Sequence, residues 1–405
     1  MFDPKKYFDA AASTPLNDQV RLEMIETMDL WGNENSKHAC GFLSRKSIDD
    51  SLDRISKVLK VSPDQIFPTY SGTDANRKVI WACRKRFGIK NLYCSAVEHS
   101  SISDEINKTN YFDPTGNFDD IDKKAQFIAL MQANSETGRI YEAKNLRQKF
   151  PNAVILQDAC QSFPKNIKPD YENADAITFA PQKFYGPKMV GLVWLKNPQN
   201  FTEISKDSHT KNPFIIAGMA RSFEEWANEI EKTIPKLQKW QEIIETYFIE
   251  KFGNEVIIHE KDAPRTLGTI NIAFKGIRGS ELMTVLSDEE SICVSTGSAC
   301  NSDFLSPTKT IKFIQKNPDY QFPIRISLHK FLDDEAVTDF CEIVEHYVLE
   351  LKKRNFYHLH NSQVFAFPTL SSQFFRRKRP GSIVLKENLT FSVKIPFFKG
   401  MTKDY

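Results

Sequence analysis

Between residues 66 and 196 the chain alternates short apolar runs with longer stretches whose apolar residues recur every three to four positions. The short runs are 66–70 (IFPTY), 91–96 (NLYCSA), 127–132 (FIALMQ), 153–157 (AVILQ), 176–180 (AITFA) and 191–195 (GLVWL). Their length and their bounding turn residues predict strands. Helix-period stretches at 73–87 and 141–150 lie between several of them. Strands alternating with helices predict an α/β fold, a mostly parallel central sheet flanked by helices. Sheets of this kind bind ligands outside the carboxyl ends of their strands.

After residue 200 the pattern changes. Residues 222–252 predict one long helix, or two with a break at Pro235. Strands are expected near 255–258, 268–274 and 324–328, and helices near 279–287 and 333–352. The last of these puts Val337, Phe340, Val344, Tyr347, Val348 and Leu351 on one face, with Asp333 or Asp334 to cap it. The expected organisation is a large α/β domain over 13–252, a smaller α+β domain made from 1–12 and 253–352, and a C-terminal extension over 353–405. The extension is aromatic and basic, with RRKRPG at 376–381 and a strand-like LTFSVKI at 389–395. A charge run of that kind reads first as a solvated face.

Composition then removes several classes of function. The 405 residues carry 54 Lys and Arg against 52 Asp and Glu, a formal net charge of +2. So balanced a chain offers no global field for a polyanion, and no direct nucleic-acid binding is expected. Seven cysteines are scattered without a CxxC pair. They fit free thiols in a reducing compartment rather than a disulfide framework or a zinc site, so a cytoplasmic protein without a metal is expected. No run of ~18 uncharged apolar residues predicts a membrane span. The opening MFDPKKYFDAAASTPL lacks the long apolar core of a signal peptide.

Candidate chemistry lies just past the strands. SGTDAN (71–76) follows the first, and Gly72 and Thr73 would open a helix whose N–H groups suit a phosphate. Taken alone it is also an ordinary cap. VEHSS brings His99, ANSETG brings Asn134, and DACQS brings Asp158 and Gln161. An Asp closing a buried strand is the most telling of these, because an unpaired buried carboxylate is costly. Lys183 follows 176–180, in QKFYGP, beside Gln182. Singly, these are turns, caps and structural residues. Together they place a phosphate cradle, an imidazole, an amide, a carboxylate and a lysine along one sheet edge. That set suits pyridoxal 5'-phosphate, whose aldehyde needs an amine and whose pyridine nitrogen needs a carboxylate.

The chain resembles the class V aminotransferase-fold enzymes, and among them the cysteine desulfurases with a long catalytic loop. The stretches that carry the resemblance are YFDAAASTPL (7–16), NENSKHACG (33–41), SGTDAN (71–76), VEHSS (97–101), NSETG (134–138), QDACQS (157–162), QKFYGPKMVG (182–191), STGSAC (295–300) and IRISL (324–328). They run in family order over roughly 7–352. The resemblance implies a fold type I enzyme that uses pyridoxal phosphate. Lys183 would be its Schiff-base lysine and Asp158 the partner of the pyridine nitrogen. Gln161 and Asn134 would contact the phenolic oxygen and the substrate, and His99 would stack on the ring and relay protons. Gly72, Thr73 and Gln182 would hold the phosphate. Arg325 would clamp the substrate carboxylate, and Cys300, in a small polar loop, would attack the sulfur of L-cysteine. The products would be L-alanine and a persulfide on Cys300, passed to a sulfur-acceptor protein by a homodimer. A selenocysteine lyase-like enzyme and a catalytically degenerate scaffold are the alternatives.

Three departures from the family pattern touch the phosphate. Ala180 and Gln182 stand where a hydroxyl residue and a His are usual. Phe223 stands where a Thr is expected to reach the partner's phosphate, with Ser222 the nearest candidate to compensate. SGTDAN is one residue shorter than usual. Each hydrogen bond lost to a charged phosphate would cost ~1.5–3 kcal/mol of cofactor grip.

Overall fold

The computed structural model describes residues 3–88, 91–165, 167–206, 210–297 and 306–362, with side chains as far as Arg354. Residues up to Phe356 pack as one compact unit, and Tyr357 begins a second, of which only helical backbone to Ser362 is described.

Six of the expected strands form, each near its apolar run: β1 (Ile66–Thr69), β2 (Leu92–Ser95), then β4 (Phe127–Ala129), β5 (Val154–Asp158), β6 (Ala176–Phe179) and β7 (Gly191–Leu195). Between the second and third of them lies β3 (Tyr111–Phe112), an edge strand of two residues, too short for any periodicity to announce. The sheet order is β1-β7-β6-β5-β4-β2-β3. The strands from β6 across to β3 are parallel, while β7 is antiparallel to both β6 and β1. The reason is the connection. Between β6 and β7 the chain has only a short connection over 180–190, a 3-10 turn at Pro181–Lys183 followed by positive φ at Tyr185 and Met189. Without a crossover helix, the chain can only return antiparallel. Lys183 sits in that turn.

The helices of this half are α1 (Asp18–Glu26), α2 (Ala39–Leu59), α3 (Gly72–Phe87), α4 (Ser100–Ser103), α5 (Lys144–Lys149), α6 (Thr202–Ser205) and α7 (Pro213–Phe252). Helix α7 takes the first of the two expected forms, one long helix, but departs in where it begins. It is unbroken at Pro235, and it starts nine residues early. Asn212 caps it, its side chain accepting from Ile215 N at 3.4 Å, and Pro213 takes the first turn, where a missing N–H costs nothing. Pro235 forfeits one helical bond. Packing carries the helix across: Ile216, Met219 and Phe223 enter the core around β1, β6 and β7, and Leu237, Trp240, Ile244 and Phe248 enter a second core.

That second core covers a three-stranded antiparallel sheet, ordered β10-β9-β8, of β8 (Val256–Ile258), β9 (Thr269–Phe274) and β10 (Ile324–Ser327). Helices α8 (Gly279–Glu290), α9 (Lys309–Ile314) and α10 (Asp334–Ser362) complete this part. The N-terminal segment joins it. Tyr7 and Asp9 bridge to Cys293 and Ser327, and Phe8 stacks on Phe340 with ring centroids 4.1 Å apart.

Phe223 is fully buried on α7, within 6.0 Å of the rings of Phe163, Phe179 and Phe184. Phe223→Ala is therefore expected to cost about 3–5 kcal/mol of stability. The check is a lower denaturant midpoint with an unchanged slope.

Candidate active site

At the carboxyl ends of β1, β5 and β6 lies a cavity of about 260 Å³, closed on one side by Ala11 and Ala12 of the N-terminal segment. Gly72, Thr73, His99, Asp158, Gln161, Gln182, Lys183 and Arg325 all line it. Asn134 does not. Cys300 lies outside the described residues.

One end of the cavity is the start of α3. The Ser71 hydroxyl accepts from Asp74 N at 3.0 Å, and the Asp74 carboxylate accepts from Tyr70 N at 2.9 Å. This reciprocal cap leaves the N–H groups of Gly72 and Thr73 without an acceptor in the helix. They lie at the positive end of a 16-residue helix, an environment that favours an anion. Glycine at 72 leaves room that a side chain would crowd, because a Cβ there would meet Cys160 Sγ at 3.0 Å and Ala180 Cβ at 3.2 Å.

Asp158 closes β5 and lines the cavity. Its two oxygens accept from Cys160 N and from Asn76 Nδ2, each at 2.9 Å. Lys183 follows β6, and its ammonium donates to Ala12 O at 2.9 Å and to Ala11 O. Enclosure, helped by the Arg325 guanidinium, pushes its pKa down to about 8. An ordinary lysine at pH 8 is neutral about once in 300 molecules, and this one about half the time. A nucleophilic amine therefore faces a carboxylate in one cavity.

His99 caps α4, with Nδ1 accepting from Ser101 N at 3.1 Å, and burial lowers its pKa. Arg325 comes from β10 and is only 2% exposed. Its Nη2 donates to Asp9 Oδ1 at 2.6 Å and its Nη1 to Ser135 O at 2.9 Å, while Nε is buried with no protein acceptor. The fork is thus held from behind with a donor to spare. Gln161 Nε2 donates to Ala11 O at 2.9 Å.

Asn134 does another job. Its Nδ2 donates to Val97 O at 3.2 Å, and its Oδ1 accepts from Glu136 N and Thr137 N at 2.9 and 3.0 Å. It builds the turn after β4, and its neighbour Ser135 reaches the cavity instead. Ser222 does not replace the missing phosphate hydroxyl. It is fully buried and donates to Met219 O within α7 at 2.7 Å. Phe223 is core.

Sequence reading missed Asn76, Ser101 and Asp9, although all three lie within or beside motifs it had singled out. Asn76 had a readable signal. It stands four residues after Gly72, on the same helix face, and Asn is a poor interior helix residue unless its side chain is otherwise engaged.

The Aminotransferase class-V family model matches residues 6–205 and 200–340. The chain is 26% identical over 381 residues to "Cysteine desulfurase IscS" of Dictyoglomus turgidum, covering 85% of this chain and 95% of that relative. It is 24% identical over 370 residues to "Cysteine desulfurase IscS 1" of Archaeoglobus fulgidus, covering 84% and 95%. A solved structure described as a NifS-like protein superposes with a TM-score of 0.73 at 24% identity over 84% of this chain and 98% of that one, which speaks for the fold. With the family match spanning both sheets and every cavity-lining strand end, the chain belongs to the class-V aminotransferase family.

Proposed function

We propose that the chain is a pyridoxal phosphate-dependent cysteine desulfurase. The observation that carries this is the placement of Lys183 and Asp158 in one cavity whose end is formed by the unsatisfied N–H groups of Gly72 and Thr73. The donor set fits the cofactor. The helix end suits its phosphate, the Lys183 amine its aldehyde, the Asp158 carboxylate its pyridine nitrogen and the His99 ring its face. When bound, the cofactor supplies the electron sink that makes the α-proton of an amino acid removable.

The residues divide the remaining work. Arg325 orients the substrate carboxylate, with Asp9 and Ser135 O fixing the plane of its fork. Lys183 Nζ takes the α-proton, as its lowered pKa permits near neutral pH. Asp158, held by two N–H donors, keeps a proton on the ring nitrogen. The Cys300 thiolate takes the sulfur. Cysteine and the Cys300 thiol thereby become alanine and a Cys300 persulfide, and an acceptor protein then receives the outer sulfur.

We also propose that two copies work together in the cytoplasm. Leu22 and Ile25 on α1, Met28 and Trp31 after it, and Phe42 and Leu43 on α2 are all more than half exposed. A cluster of large apolar side chains on this scale suits a pairing surface. Among the described residues no helix is long and apolar enough to cross a membrane.

The test is direct. Purified protein given pyridoxal phosphate should turn yellow. Borohydride should then attach the cofactor to the peptide holding Lys183, and cysteine should yield alanine. A protein that stays colourless and takes up no cofactor would refute this reading.

A further inference from the structure

Asn76 is almost wholly buried, at 1% exposure, yet every polar atom of its side chain is engaged. Nδ2 donates to Asp158 Oδ2 at 2.9 Å and to Ser101 Oγ at 3.0 Å. Oδ1 accepts from Thr178 Oγ1 at 2.7 Å. Thr178 is the cross-strand partner of Asp158, so the amide spans from α3 to adjacent strands at the cavity wall. A carboxylate can only accept, so the amide face toward Asp158 must be the NH₂.

The chain of donors continues to His99. Ser101 Oγ lies 2.8 Å from His99 Nδ1, and Ser101 N also donates to that nitrogen at 3.1 Å. A backbone N–H has no other role, so Nδ1 must be the unprotonated acceptor. Ser101 Oγ receives one N–H from Asn76 and gives its single proton to the same Nδ1. The neutral imidazole then carries its proton on Nε2, the nitrogen left for the cavity. Protonating Nδ1 would set a new N–H against the Ser101 backbone N–H, which can only donate.

We infer that Asn76 is a positioning residue that links both cofactor-facing groups: it orients Asp158 directly and, through Ser101, locks His99 as an Nε2–H donor. His99 is thus a hydrogen-bond donor to whatever occupies the cavity rather than a base acting through Nδ1. The charged groups that face the imidazole are Asp158 from β5, Lys183 from the turn after β6, Asp104 after α4 and Arg77 on α3. None of them touches Nδ1 in place of Ser101. The role in cofactor holding rests on the function proposed above, but the tautomer does not.

The experiment uses full-length protein with ¹⁵N-labelled histidine, with and without added pyridoxal phosphate, and two variants. Wild-type His99 should show the Nε2–H form and titrate below the ordinary histidine range. Ser101→Ala removes only the hydroxyl link. It should raise the His99 pKa by about one unit. Asn76→Asp keeps the shape and reverses the polarity. It draws the Ser101 proton away from His99 and sets a second carboxylate against Asp158. The His99 pKa should rise again, and cofactor dissociation should strengthen at least about tenfold, since like carboxylates disfavour the charged pair a pyridinium needs. A merely structural Asn76 would lower stability and leave the His99 signals in place. An Nδ1–H tautomer in the wild type, or unchanged His99 titration in both variants, overturns the inference. Failure of the wild type to take up cofactor would instead refute the proposed function and leave the tautomer result standing.

Discussion

Lys183→Ala is expected to lower alanine release from cysteine by on the order of 10⁴-fold, the upper scale for a positioned proton-transfer group, and to abolish borohydride attachment of the cofactor. The argument is one of supply. Among the described residues lining the cavity, Lys183 is the sole amine. Arg325 carries a guanidinium that stays protonated and is not a nucleophile. Lys165 lies behind the same turn, in a separate space of about 20 Å³, with its own amine on Leu328 O at 3.3 Å. The substitution itself is mild for the fold. It leaves the carbonyls of Ala11 and Ala12 facing the cavity, where water can reach them. Cofactor should still bind through α3 and Asp158, more weakly and without a covalent tether. Wild-type uptake should quicken as pH rises and level off past about 8, because the neutral amine is the reactive form and its pKa is lowered to about that value. Retention of alanine release within tenfold of wild type in Lys183→Ala would remove this lysine from the mechanism.

The parts of the site that were readable in advance are those that sit at strand ends. Asp158, Lys183, Gln161 and His99 each follow an apolar run by a few residues, and a parallel sheet brings such ends to one edge. Gly72 and Thr73 were readable because a cap and a glycine announce a helix start. Arg325 was found only through the family pattern, because nothing local says that β10 of the smaller sheet faces the larger one. Side-chain commitments were least visible. Asn134 looked like a ligand group, yet turn building uses all of its polar atoms. Asn76 was given no role within SGTDAN, yet it bridges Asp158, Thr178 and Ser101. Both outcomes depend on which donor meets which acceptor across elements distant in sequence, and periodicity carries no such information. The unbroken α7 is a similar case. Local propensity at Pro235 left one helix and a break equally open, and burial on both sides of it outweighed one missing hydrogen bond.

Cys300→Ala should separate sulfur transfer from cofactor chemistry. Persulfide formation from cysteine is expected to fall below about 1% of wild type, the scale of losing an activated nucleophile. Cofactor colour, borohydride attachment at Lys183 and cofactor affinity should remain within about twofold. The assignment rests on STGSAC and its family counterpart, and four of the other cysteines strengthen it by their poor fitness for the task. The thiolate, not the thiol, takes sulfur. Burial pushes Cys83 and Cys341 up to about 12 and raises Cys94 further, and all three are core residues. Cys160 does line the cavity, but burial and the neighbouring Asp158 carboxylate raise its pKa well above the ordinary thiol value. Its Sγ also packs where a Gly72 Cβ would sit, 3.0 Å away, which makes it part of the wall of the cavity. Cys160→Ala is therefore expected to keep at least about half of wild-type sulfur transfer, the range of a small repacking in the wall. The two variants read together decide between enzymes. Loss of persulfide in Cys300→Ala with retention in Cys160→Ala identifies the desulfurase. Undiminished release of sulfide from cysteine in Cys300→Ala would remove that residue from the nucleophile role. Undiminished turnover of selenocysteine alongside lost turnover of cysteine would instead favour a lyase for the heavier chalcogen, since a selenol leaves without needing a protein thiolate to take it.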